Sequence, residues 1–273
     1  MTTTDFTGGV AVITGAGSGI GAGLAREAAS RGMRVVLADV NLDAIDALSE
    51  ELNAAGAETI ARKVDVSDSA ALESLAALAY DTWGQVDLLV NNAGIEVHGL
   101  MWEIPVDLWN SVISVNLNGV ANGMRSFIPR MLASGRRSHI VNLASVAALG
   151  TRTHTSPYGA TKHAVLALTE IVAKELAPIS SEVVMSAVLP GAVATSIFVN
   201  AISVDDGGPG DQDRTAMRER LASEGIDPRE AARIIFAGAS TGMLRIHTDL
   251  DMSGTLIETR AEELRSSLVP AKG

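Results

Sequence analysis

Tyr158 and Lys162 stand four residues apart in the segment SPYGATKHA. Residues i and i+4 share one face of a helix, so the pair would present a phenol beside an ammonium. A free tyrosine has a pKa of about 10 and is no base at neutral pH. A neighbouring cation stabilises the phenolate and lowers that value. Such a pair suits proton exchange with the oxygen of an alcohol or ketone. Ser145, in NLASVAA, offers a hydroxyl to a substrate oxygen, and Asn116 lies in SVNLNGV. Taken singly, each of these residues reads equally as part of an ordinary helix surface or core.

Other chemistries are excluded or unsupported. The chain has no cysteine, which removes thiolate catalysis, disulfides and Cys-zinc sites. The five histidines, His98, His139, His154, His163 and His247, lack ligand spacing such as H-E-x-x-H. They read as structural or surface residues, and no metal site is expected. His98 and His154 border the candidate site, and Glu96 and His98 either recognise a polar group or face water.

The stretch TGAGSGIGAG, Thr14–Gly23, holds a glycine at every second position. No register fits G-x-G-x-x-G, and no lysine follows to complete a G-x-x-x-x-G-K loop. Gly15 directly follows a β-branched run, and Gly19 and Gly21 fall in the first turn of a helix. Helix N-termini carry unpaired N–H groups and partial positive charge. A pyrophosphate held there needs close backbone approach.

Composition sets the frame. The 273 residues are 47% hydrophobic but only 3% aromatic, with a net charge of −11. One large α/β domain fits that length. The acidic balance argues against nucleic acid and anionic membrane surfaces, though a local nest of N–H groups still accommodates a small phosphorylated ligand. The segment MTTTDFTGG lacks the features of a signal peptide, and no apolar run reaches membrane-span length. A cytoplasmic protein is expected.

The elements that must position these residues alternate. Strands are expected at Val10–Thr14, Arg34–Ala38, Thr59–Val64, Val86–Val90, His139–Ala144 and Glu182–Leu189. Helices are expected at Ile20–Arg31, Asp43–Ala55, Ser69–Trp83, Pro105–Ala133 and Ser156–Ala177. The strands lack polar alternation, as when helices cover both faces. This predicts a Rossmann-like, doubly wound parallel sheet of about seven strands in a single domain, residues 1–273. Ligands in such sheets bind at the carboxyl ends of the strands. Ser203–Arg220 is polar and Gly/Pro-containing, and reads as a disordered insertion or as a lid. The substrate-loop region is placed at about 192–225 and a helical tail at about 250–273.

These motifs together resemble the short-chain dehydrogenase/reductase family. Thr14, Gly15, Gly19 and Gly21 are similar to its T-G-x-x-x-G-x-G cofactor loop, which also takes in Ser18 and Ile20. Tyr158-Gly159-Ala160-Thr161-Lys162 resembles its Y-x-[AS]-[ST]-K. The resemblance implies a tetrad of Asn116, Ser145, Tyr158 and Lys162, with Asn116 supporting a proton path to the lysine. It implies that Asp65 and Val66 meet adenine, and that Asn92, Ala93 and Gly94 of NNAG close over adenosine. It further implies that Val193 and Thr195 of PGAVAT, after Pro190 and Gly191, contact the nicotinamide end. Asp65 reads equally as a helix cap. After Ile197 the chain departs from the family pattern, with LRIHTDLD where many relatives carry a terminal D-G-G. Gly17 and Gly23 fall outside the loop motif, one easing the loop and the other packing.

Asp39 ends the second strand, where an acid accepts hydrogen bonds from the ribose hydroxyls of NAD; its alternative is a helix cap. Ser18, Val40 and Asn41 stand where NADP-binding relatives place Arg or Lys. A carboxylate about 4 Å from a 2′-phosphate would be repelled by about 4 kcal/mol at an effective dielectric near 20. NAD is therefore the expected cofactor and NADP the less favoured one. The expected reaction interconverts a secondary alcohol and its ketone. The substrate is taken as medium-sized and fairly hydrophobic, since Val146, Ala147, Leu149, Ile197 and Phe198, with Trp102 nearby, are read as its pocket. The alternatives are a non-catalytic dinucleotide sensor, an NADP-dependent ketone reductase and an extended-branch epimerase. The resemblance also implies a homo-oligomer, a tetramer or dimer, through Pro105–Ala133 and Ser156–Ala177.

Overall fold

The computed structural model describes residues 3–195 and 197–268. Strand β1 (Val10–Thr14) leads into α1 (Gly19–Ser30), β2 (Arg34–Asp39) into α2 (Leu42–Ala54), and β3 (Thr59–Lys63) into α3 (Ser69–Trp83). β4 (Leu88–Asn91) is followed by the two-residue β5 (Val97–His98), α4 (Val106–Ile113), a π-helical turn (Ser114–Asn118) and α5 (Gly119–Ser134). β6 (Ser138–Leu143) precedes a 3-10 turn (Val146–Ala148) and α6 (Ser156–Leu176). The remaining elements are β7 (Val183–Leu189), α7 (Ile197–Asn200), β8 (Ile202–Ser203), α8 (Pro209–Glu224), α9 (Pro228–Ser240), β9 (Arg245–His247) and α10 (Leu250–Ser266).

Seven parallel strands form one sheet in the order β3-β2-β1-β4-β6-β7-β9. In register, Val12 lies between Val36 and Leu89. The central strands β1, β4 and β6 are buried at every residue, because helices cover both faces. α1, α2 and α9 pack one face around Leu24, Ile45, Leu48 and Phe236. α3, α5 and α6 pack the other around Leu72, Leu75, Phe127 and Val165. β1 pairs with β2 on one side and β4 on the other, which is the switch point where such sheets hold ligands. The short β5 and β8 form a separate parallel pair, Val97 with Ile202 and His98 with Ser203. It ties the loop after β4 to the segment after β7.

The structure sharpens three expectations and leaves one reading of Ser203–Arg220. Ser203–Arg220 is not a disordered insertion: it runs from β8 through a tight turn into α8. Asp205 accepts hydrogen bonds there from Ser203 Oγ, Gly210 N and Asp211 N, and Pro209 occupies the first helical turn, where its missing N–H costs nothing. LRIHTDLD supplies β9, the seventh of the expected strands. The expected helical region Pro105–Ala133 runs without interruption through α4, a π-helical turn at Ser114–Asn118 and α5. The helix of the tail starts at Leu250, and residues 269–273 of the expected tail region lie outside the described residues. Among the described residues, no helix is long and apolar enough to cross a membrane.

Candidate active site

The glycine loop is shaped by contacts across β1 and β4. Gly15 has φ +64°, a conformation that favours glycine. A Cβ on Gly21 would collide with the Gly15 carbonyl oxygen and with the Asn92 side chain. Asn92 Nδ2 donates to the Thr14 and Gly15 carbonyls at 2.9 and 3.0 Å. Thr14 Oγ1 accepts from Asn92 N at 3.0 Å. NNAG is thus stitched to the turn that opens α1. The small size of Gly23 serves packing, since a Cβ there would meet the Pro228 carbonyl at the start of α9.

Asp39 does not cap a helix; Asn41 caps α2. Asp39 Oδ2 instead accepts from Gly17 N at 2.9 Å and Oδ1 from Asn41 N at 2.9 Å. Gly17, outside the loop motif, is the donor that fixes this carboxylate. Asp68, not Asp65, caps α3, while Asp65 Oδ1 accepts from Ser67 N and Oγ. A cleft of about 400 Å³ joins Gly15, Ser18, Gly19, Ile20, Asp39, Asp65, Val66, Asn92, Ala93, Gly94 and Thr195. Among its described lining residues there is no Lys or Arg. Arg26, in the neighbouring groove, is held by Glu51 through two bonds of 2.7 and 2.6 Å.

The second group gathers at the ends of β6 and β7. Ser145 follows β6 and its Oγ accepts from Ala147 N at 3.1 Å. Ser145 and Tyr158 line the same cavity. Lys162 is buried, and its Nζ donates to the Leu143 carbonyl at 2.8 Å. Nζ lies 5.4 Å from the centroid of the Tyr158 ring. Asn116 sits in the π-helical turn, fully buried; its Oδ1 accepts from Ile95 N at 2.8 Å and its Nδ2 donates to Ile95 O at 2.9 Å. The structure thereby brings all four expected residues to one place.

Electrostatics differ from the simple expectation for the pair. Burial, then the Glu96 charge, pushes the Tyr158 hydroxyl above its ordinary range, while the Ser145 hydroxyl pulls it down. Burial lowers Lys162 to about 8, against the raising effect of Glu96. In the chain alone, desolvation of the phenolate therefore outweighs the nearby ammonium.

After β7, the Ala192 carbonyl and Ala194 amide bond the Ile226 backbone, holding the segment around Val193. A Cβ on Gly19 would lie 3.1 Å from Thr195 Cβ, so PGAVAT folds back over the loop at the start of α1. Gly191 N donates to Thr248 Oγ1 at 3.0 Å, and Val146 N to the Pro190 carbonyl at 3.1 Å.

A cavity of about 930 Å³ opens above Ser145, Tyr158 and Lys162. Val146, Ala147 and Ile197 line it as expected, but Leu149 does not, and Trp102 stands 77% exposed. The side chain of Phe198 lies outside the described residues. Of Ile95–Leu100, Glu96 reaches this cavity, and Ile95 the cofactor-side cleft. Two helices complete the walls: α8, within the region already placed at about 192–225, and α10, which the sequence did not point to. α8 adds Met217, Arg220 and Leu221, and α10 adds Asp251, Met252, Thr255 and Leu256. Arg152 and Asp249 also line the cavity, so it is less uniformly apolar than Val146, Ala147, Leu149, Ile197 and Phe198 implied. The α8 segment is tied to the site by its position after the sixth expected strand, whereas nothing local ties α10 to it.

A parallel sheet with a glycine loop at its switch point and a Ser-Tyr-Lys group at neighbouring strand ends defines a dinucleotide-linked oxidoreductase. A family model for short chain dehydrogenases matches residues 9–204, and the chain belongs to that family. It is 34% identical to 1-deoxy-11-beta-hydroxypentalenate dehydrogenase of Streptomyces avermitilis, over 88% of this chain and 84% of that protein. It is 32% identical to the CLA biosynthesis dehydrogenase/reductase of Lactiplantibacillus plantarum, over 71% and 68%. A crystal structure of a short chain dehydrogenase/reductase from Burkholderia phymatum in complex with NAD superposes with a TM-score of 0.91 at 35% identity, covering 99% of both chains. The apo form of LigD from Sphingobium sp. strain SYK-6 superposes at 0.81 with 29% identity, over 98% and 100%. The chain is an oxidoreductase acting on CH–OH groups.

Proposed function

We propose that this chain is an NAD-dependent dehydrogenase interconverting a secondary alcohol and its ketone. The observation that carries the reading is the continuity of two spaces: Glu96, Asn92, Gly94, Ile20, Thr195 and Ile197 line both the Asp39 cleft and the Ser145–Tyr158–Lys162 cavity. A dinucleotide laid from Asp39 across the loop reaches the reacting group.

Asp39 holds the adenosine ribose, with Asp65 and Val66 at adenine and Gly94 and Ala93 over the adenosine. The amides of Ser18, Gly19, Ile20 and Gly21 face the pyrophosphate at the start of α1. Pro190, Gly191, Val193 and Thr195 hold the nicotinamide end. Bound nicotinamide supplies the hydride acceptor or donor. Ser145 hydrogen-bonds the substrate oxygen, and Tyr158 takes the alcohol proton or returns it to the ketone. The Lys162 ammonium favours the phenolate, and Asn116 fixes the backbone at Ile95 beside Lys162. Together with the positive charge of the oxidised cofactor, Lys162 offsets the burial that holds Tyr158 protonated in the chain alone.

The cavity suits a medium-sized, fairly hydrophobic alcohol or ketone. That choice is supported by its volume and by Val146, Ala147, Ile197, Met217, Met252 and Leu256 on its walls. The hydroxypentalenate dehydrogenase relative fits this class by its name. We further place the enzyme in the cytoplasm as a homo-oligomer, and read 192–225 as a region that moves over the site. NADH formation across a panel of secondary alcohols tests the activity. Failure of every cyclic and acyclic member, with NAD bound, would overturn the substrate class.

A further inference from the structure

A line of polar side chains, buried at its inner end, runs from the reacting centre to helix α8. His98 Nε2 lies 3.2 Å from Glu96 Oε1, and His98 Nδ1 lies 3.4 Å from Asp213 Oδ2. Asp213 Oδ1 accepts from Arg152 Nη2 at 2.5 Å. Side-chain exposure rises outward, from 2% and 0% at Glu96 and His98 to 21% at Asp213 and 39% at Arg152. The line joins β5, the first turns of α8 and the loop ahead of α6. Packing alone gives no reason for it, since burying polar groups away from water costs free energy that an apolar equivalent avoids.

The inner end reaches the chemistry. Glu96 lines both the cofactor-side cleft and the substrate cavity. Its Oε2 is buried without a hydrogen-bond partner among the described residues. Its charge acts on Tyr158 and Lys162, favouring the protonated form of each. The outer end depends on how α8 is seated. A Cβ on Gly210 would lie 2.9 Å from Gly99 Cα and 2.6 Å from Asp205 Oδ1, so only glycine lets the start of α8 approach the end of β5 this closely. Gly99 N donates to the His154 carbonyl at 3.0 Å, pinning the Arg152 loop to the same point. α8 also supplies Met217, Arg220 and Leu221 to the cavity wall.

We propose that His98 is a positioning residue: gripped between Asp213 of α8 and Glu96, it sets the Glu96 carboxylate beside Lys162 only while α8 is seated as the cavity wall. Seating of that wall and the charge at the reacting centre then become a single event. The proposal rests on the reading of Tyr158 and Lys162 as the reacting pair. Lys162 faces Tyr158 of its own helix, the Leu143 carbonyl of β6 and Glu96. Asn116 lies across Gly94 from it, and Arg152, Arg220, Asp249 and Asp251 line the shared cavity. The carboxylates beside His98 are those of Glu96 and Asp213, whereas Asp205 is engaged by Ser203 and the amides of Gly210 and Asp211.

Competitive acetylation of the full chain with acetic anhydride reads the Lys162 ammonium directly, since only the neutral amine reacts. Labelling of Lys162 is compared with that of exposed Lys63 by mass spectrometry across neutral and alkaline pH, with no dinucleotide or substrate added. The wild-type midpoint is expected at about 8. Asp213→Asn and Gly210→Ala leave Glu96 in place, yet each is expected to lower the midpoint by roughly half a unit or more, toward that of Glu96→Gln. The proposal is overturned if either variant keeps the wild-type midpoint, or if Glu96→Gln itself does. Should Gly210→Ala fail to fold, His98→Gln takes its place under the same criterion. Failure of the dehydrogenase reading would show separately, as absent NADH formation, and would leave the labelling result standing.

Discussion

The Lys162 ammonium is bonded to the Leu143 carbonyl at 2.8 Å, while its distance to the Tyr158 ring centroid is 5.4 Å. The end of β6, not the tyrosine, holds the lysine in place. The two side chains can therefore be removed one at a time without the other losing its anchor.

Tyr158→Phe keeps the ring and deletes the proton carrier. It should cut turnover by about a hundredfold or more and leave the NAD dissociation constant nearly unchanged. Ser145→Ala should cut the rate by about a hundredfold, again with little effect on NAD. Lys162→Ala should weaken both. Steady-state kinetics and calorimetric titration of the three variants decide this; near-wild-type turnover in Tyr158→Phe would refute the mechanism.

Cofactor choice turns on Asp39. NAD should bind at least about tenfold tighter than NADP, a difference of about 1.4 kcal/mol. Asp39→Ala should narrow that gap but also weaken NAD, because Asp39 orders the Gly17 and Asn41 amides. Equal wild-type affinities by calorimetry would sink the assignment.

The pH dependence has a definite sign. Lys162 carries its charge below about 8 and loses it as the pH rises through that value. With NAD bound, alcohol oxidation should rise with pH as Tyr158 ionises, the positive charge of the cofactor offsetting the burial that raises this group in the chain alone. Glu96 favours the protonated form of Tyr158, so Glu96→Gln should move this rise to lower pH. A profile that moves upward would contradict the placement of Glu96.

Gly21→Ala places a methyl group against the Gly15 carbonyl. Overpacking of this kind costs about 1–3 kcal/mol. Thermal unfolding should show a lower Tm, and NAD affinity should fall with it. An unchanged Tm would mean that the loop yields more easily than its contacts suggest.

Light scattering at micromolar concentration should show a homo-oligomer, a tetramer or dimer assembled through α4, α5 and α6. Ile171 on α6, 52% exposed, would be covered on assembly. A monomer at that concentration would refute the prediction.

What the sequence disclosed follows from locality. β-branched runs such as VAVIT mark buried strands because they need only themselves and a covered sheet. Gly15, Gly19 and Gly21 are legible because each answers a constraint within one turn. Tyr158 and Lys162 are legible because helix spacing alone brings them together. Glu96 and His98 are less so: their partners, Asp213 and the reacting centre, are distant in sequence and meet only through the β5–β8 pairing. α8 escaped recognition because its faces are mostly polar, so the usual apolar periodicity is missing. The shift of Tyr158 escaped because burial is a property of the assembled site.

The far wall of the cavity comes from α10, which turns back from β9 over the 3-10 turn at Val146–Ala148. None of its residues belongs to the sheet, the glycine loop or the reacting group. The catalytic machinery and the gauge that measures the substrate are thus built from separable lengths of chain. Met252, Thr255 and Leu256 can be exchanged for larger or smaller side chains as an interchangeable fitting. Substrate range can then drift or be engineered while hydride chemistry stays untouched.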